Sequence, residues 1–110
     1  MIITVSETGE LGLEDPDDFR RFEIHVTRVG ITVAPIMSAL RTLGEVADDG
    51  HVWIGDKALV KLAGRDGDAD WLAKFAAMKD KARPFGWVDD ERQAIRAHIK
   101  WPRQENGTTS

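Results

Sequence analysis

The 110-residue chain contains no cysteine. That excludes a disulfide framework, a thiolate nucleophile, a thiolate zinc site and an iron–sulfur cluster. Tyrosine is also absent, so the aromatic character rests on four Trp and four Phe. Serine occurs only at Ser6, Ser38 and Ser110, and none sits in a Gly-x-Ser-x-Gly elbow, which argues against serine hydrolysis. No apolar run approaches the ~20 residues that a membrane-spanning helix needs. The opening MIITVSETGE has neither a basic n-region nor a long apolar h-region. No secretory signal is therefore expected, and the expected location is the cytoplasm. Positive charge is not in excess: 15 Lys+Arg stand against 19 Asp+Glu, a net charge of −4. Nucleic-acid and anionic-membrane binding are built on phosphate neutralisation, so neither partner is expected.

What is present is a globular balance, 42% hydrophobic and 31% charged. The length suits one domain and is too short for a two-domain dehydrogenase, a TIM barrel or a kinase. We expect a single domain over residues 1–102 and a disordered polar tail over 103–110. Charge is uneven along the chain. Glu7, Glu10, Glu14, Asp15, Asp17 and Asp18 form an acidic run without a base, and Arg92, Arg96, Lys100 and Arg103 form a basic one. Either both are solvated surface, or the two ends dock within one chain or across a dimer.

Periodicity predicts the elements. Met1–Ser6 reads as a strand and Glu7–Glu14 as an acidic loop. Asp15-Pro16-Asp17-Asp18 is a helix-start signature, giving a short helical turn over 16–21 and then a strand over 22–28. A helix is expected from Thr32–Pro35 to Leu43, with the stripe Ile36, Ala39, Leu40, Leu43 and a left-handed cap at Gly44. His51–Ile54 is a short strand. Asp56 caps a brief helix that ends at Gly64. Ala69 to about Arg83 is the clearest helix, with Trp71 and Phe75 as its core anchors and Pro84 as its stop. Asp89–Gln93 is a charged turn. Ala94–Trp101 alternates Ile95, Ala97, Ile99 and Trp101 with Arg96, His98 and Lys100, the pattern of a half-buried strand. The expected fold is α+β: a small, largely antiparallel sheet of about four strands with helices packed on one face. The other face and the sheet edges then stand open, and a homodimer is expected to use them.

The three histidines fall one per strand. His25, His51 and His98 each take the parity opposite the apolar residues of their strand, so helices on one side leave all three imidazoles on the other. Glu23 shares the face of His25. Arg96 and Lys100 share the face of His98. Imidazole titrates nearest neutrality and can give and take protons in the cell. The pattern predicts His98 as base, His25 as acid with Glu23 orienting it, and Arg96, Trp53 and His51 as substrate-binding groups. The competing reading is that these are ordinary surface histidines. A three-histidine metal site has the right ligand type, but no HxH or HxxxH spacing pre-forms it, so no metal is expected.

Other motifs fail on inspection. The paired glycines lack the Gly-Lys-Ser/Thr of a P-loop and the strand–helix context of a dinucleotide fingerprint. Asp66-x-Asp68-x-Asp70 lacks a calcium loop's sixth-position Gly, here Trp71, and its twelfth-position Glu, here Ala77. No cofactor is expected. The function expected from these residues is a small-molecule enzyme using cofactor-independent acid–base chemistry, of lyase, hydratase or isomerase type. The alternative is a non-catalytic accessory or regulatory module that binds a partner chain.

Overall fold

The computed structural model describes residues 1–48 and 50–102. The expected tail over 103–110 and Asp49 of the expected 48–50 turn lie outside them. Among the described residues seven strands form one mixed sheet: β1 Ile2–Val5, β2 Leu11–Glu14, β3 Glu23–Val26, β4 Gly44–Asp48, β5 His51–Gly55, β6 Val88–Asp89 and β7 Ala94–Lys100. The helices are α1 Ala34–Leu43, α2 Asp56–Ala63 and α3 Ala69–Ala82, followed by a 3₁₀ turn over Arg83–Phe85. The sheet order is β2-β1-β3-β7-β5-β4, with β6 also on β7. The α+β class holds, but the sheet is larger than four strands. Its centre is parallel, since β3 pairs in parallel with both β1 and β7.

Alternation sorts the strands into two faces. Ile3, Val5, Ile24, Val26, Val52, Ile54, Ile95, Ala97 and Ile99 are buried and pack in one core with Ile36, Leu40 and Leu43 of α1, Leu59 of α2, and Trp71 and Phe75 of α3. The stripe of α1 is the expected one, with Ile36, Ala39, Leu40 and Leu43 all buried. In α3, Asp68 accepts a hydrogen bond from the Trp71 amide at 3.1 Å and so caps the helix start. No helix among the described residues is long and apolar enough to cross a membrane.

Several local expectations are corrected. Residues 15–22 form turns and not a helical turn. Carbonyls that a helix would use internally are taken by tertiary donors. The Met1 ammonium donates to Asp18 O at 2.6 Å and Arg21 O at 2.9 Å, and Trp71 Nε1 donates to Pro16 O at 2.8 Å. The acidic loop contains β2, which pairs antiparallel with β1. Gly44 is no left-handed cap: it is extended, opens β4 and pairs with Ile54. A Cβ at Gly44 would overlap the Trp53 carbonyl, so the close approach of β4 to β5 needs glycine there. Asp56 is the first residue of α2 and makes no cap; it pairs with Lys79 Nζ at 2.5 Å instead. The acidic and basic runs do not meet in the described ion pairs. Acids of the first pair with Arg20, Arg28 and Arg65, and bases of the second with Glu23, Glu45 and Asp89.

Candidate functional site

The face opposite the core carries the six residues singled out from the sequence. Register sets them in rows across the sheet. His98 of β7 lies between Glu23 of β3 and His51 of β5. One row along, His25 stands between Thr4 and Lys100. On the other side of His98, Arg96 faces Trp53, which faces Glu45. His25, Trp53, Arg96 and His98 are flanked along their strands by buried apolar residues on both sides, and Glu23 and His51, which open their strands, by Ile24 and Val52; this period of two turns them away from the helices.

Two carboxylate–imidazole contacts frame His98. Glu23 Oε1 lies 3.2 Å from His25 Nε2, though not aligned for a hydrogen bond. Asp48 Oδ1 lies 3.1 Å from His51 Nδ1. The rings of His51 and His98 meet edge to face, with centroids 5.3 Å apart. Asp48 was not expected from the sequence, where it reads as a turn residue. Its only signal is the three-residue spacing to His51 across the tight β4–β5 turn. The Gly50 amide first, then His51, hold its carboxyl below the usual range.

Glu23 is the most constrained group on this face. Its side chain is only 13% exposed and sits among Arg21, Lys100 and His25. The Arg21 guanidinium is the largest influence; burial opposes it, and Lys100, with Nζ at 3.2 Å, and His25 add to it. The carboxyl is held at about 2. Glu23 is therefore ionised at neutral pH and acts as a fixed charge beside His25, not as a proton carrier. Arg21 and Lys100 are thus part of the site, and Lys100, expected to flank His98, gives its charge to Glu23.

That constraint has a measurable consequence. A carboxylate depressed in the fold adds stability above its unfolded value and loses it as pH falls through the folded one. The Glu23 contribution is present above pH 4.5 and disappears between pH 4.5 and about 2. Glu23→Gln should lower stability at pH 7 by about 1 kcal/mol, once solvent screening is allowed for. It should also flatten the loss between pH 4.5 and 2. Urea unfolding of both proteins at pH 7 and pH 3 checks this; parallel pH curves would contradict it.

Three clefts are lined by Asp15–Arg20, by residues between Phe19 and Arg96, and by residues between Asp56 and Leu72; none of the three includes a histidine. The imidazoles stand on open sheet, with His25 35% and His51 31% exposed in their side chains. Among the described residues no group of three or more His, Asp or Glu is placed to hold a metal ion. Compared with known proteins, the chain matches no family model, no curated protein and no solved structure.

Proposed function

We propose that the protein is a small-molecule enzyme using cofactor-independent acid–base chemistry, of lyase, hydratase or isomerase type. The observation that supports it is the pair of contacts Glu23–His25 and Asp48–His51 on either side of His98. A carboxylate at one ring nitrogen orients an imidazole and leaves the other nitrogen for substrate. In this reading His98 removes a proton from a carbon beside a carbonyl or carboxylate. The C–H electron pair moves onto the substrate oxygen, where the Arg96 guanidinium stabilises the charge. His25, protonated, returns a proton to a second carbon or to a departing hydroxyl. Trp53, the register partner of Arg96, supplies an apolar wall, and His51 a further polar contact.

The test is exchange of carbon-bound hydrogen. Small carbonyl and carboxylate compounds are incubated with the protein in D₂O, and loss of the α-proton signal is followed by NMR. Protein-dependent exchange supports the reading. The non-catalytic reading has one observation in its favour: Val29, Ile31 and Val33, between β3 and α1, are 38%, 103% and 45% exposed. An apolar segment of this kind suits a partner surface, and absence of exchange would favour it. We further propose a homodimer, because the face opposite the core is left open and β2 and β4 end the sheet as edge strands. Light scattering that returned 12.3 kDa, the mass of one chain, would contradict this.

A further inference from the structure

A second cleft, of about 470 Å³, arises from the topology itself. Two short strands share one edge of β7. β6 pairs with residues 94 and 95, β3 pairs with residues 98 to 100, and the two meet end to end beside Arg96 and Ala97. The Arg96 amide donates to the Trp87 carbonyl at 2.8 Å across this junction. The segments leading into β3 and β6 and the last turns of α3 form the walls.

Two properties of this lining point to a ligand. Phe85 and Trp87 stack on each other with centroids 4.9 Å apart, yet are 67% and 43% exposed. A stacked aromatic pair left in water is an unused apolar slab. Four cations, Arg20, Arg21, Lys81 and Arg96, line the cleft, and no carboxylate does. Arg20 is tied to Asp18 and Arg21 to Glu23, whereas Lys81 and Arg96 have no ion-pair partner among the described residues.

We propose that this cleft binds a small planar aromatic carboxylate. The ring lies against Phe85 and Trp87 and the anionic group faces Lys81 and Arg96. The volume falls within the range of about 300–1,000 Å³ usual for small-molecule sites. The cleft shares Arg21 and Arg96 with the histidine face, but no histidine lines it, and Lys81, Phe85 and Trp87 belong to the cleft and lie on other elements than the histidines.

The experiment titrates ¹⁵N-labelled full chain with 2-naphthoate and, separately, with the uncharged 2-naphthamide. Saturable shifts are expected at the Trp87 indole and at backbone amides of residues 81–83, 85–87 and 95–96, and the amide should bind about tenfold or more weakly. Lys81→Gln should weaken 2-naphthoate about fivefold or more while leaving 2-naphthamide unchanged, and Trp87→Ala should weaken both about fivefold. Both side chains are exposed, so the variants should keep the wild-type melting temperature. Arg96 is left intact because it also faces the histidine rows. Equal binding of acid and amide, shifts elsewhere on the fold, or no saturation by about 10 mM would overturn the proposal. Such a failure leaves the hydrogen-exchange result standing, since neither variant alters a histidine or its carboxylate.

Discussion

Phe75→Ala should lower the unfolding free energy by about 3–5 kcal/mol, the usual cost of truncating a buried aromatic. Phe75 is 5% exposed and Trp71 3%, and both belong to the single core cluster. Their rings stack with centroids 5.4 Å apart, and Trp71 continues the contact to Phe19 at 5.5 Å. This aromatic row ties α3 to the turns before β3, where Trp71 also donates to Pro16 O. Removing the phenyl ring strips one side of the Trp71 indole and loosens both elements. Against a total stability of about 5–15 kcal/mol, the loss should bring the urea midpoint down sharply or abolish the folded baseline. Met78, three residues on and only partly buried, serves as the comparison: Met78→Ala should cost less. Equal effects of the two variants would contradict the placement of α3.

Elements with a strong period were legible in the sequence. α1, α3 and β7 carry apolar residues at helical or strand spacing over several turns or pairs, and the structure buries the predicted stripe of α1, Ile95, Ala97 and Ile99 of β7, and Trp71 and Phe75, while Trp101 falls just past β7 and is only partly buried. β2 and β4 were not legible. Leu11 and Leu13 of β2 are separated by Gly12, and β4 offers only Val46 among Gly44, Glu45, Ala47 and Asp48, so neither run has the β-branched content that marks a strand. Both are edge strands held by pairing with β1 and β5. The failed helical turn at 16–21 shows the reverse case. Its start signal was strong, but tertiary donors captured its carbonyls.

The same division applies to the candidate site. Strand parity alone put His25, His51, His98, Glu23, Arg96 and Trp53 on one face, because a period of two needs no knowledge of which strands are neighbours. Their mutual arrangement depends on sheet order. The parallel β3–β7 pairing joins residues more than 70 positions apart, and it is this pairing that puts Glu23 opposite His98 and brings Lys100 to Glu23. Arg21 lies in the segment before β3 and Asp48 ends β4, a strand the sequence reads only as a turn, so neither was legible as a site residue. The aromatic cleft was invisible for a related reason, since it exists only because two strands divide one edge of β7.

The second large effect concerns His98. Its side chain is exposed and its ring contact is the edge-to-face one with His51, so His98→Gln should leave the melting temperature nearly unchanged while removing the proposed base. A positioned general base typically contributes about 10²–10⁴-fold to a proton-transfer step. The loss should therefore be of that order and should appear at saturating substrate, because proton removal and not binding is affected. Glu23→Gln and Asp48→Asn keep the imidazoles but remove the groups beside them, and should cost less than His98→Gln. The measurement that tests the account most directly is the α-proton exchange rate in D₂O for the wild type and His98→Gln, side by side on the compound that exchanges fastest. The account predicts a fall of about 10²-fold or more with a nearly unchanged melting temperature. Exchange at the wild-type rate in a folded His98→Gln protein would contradict it.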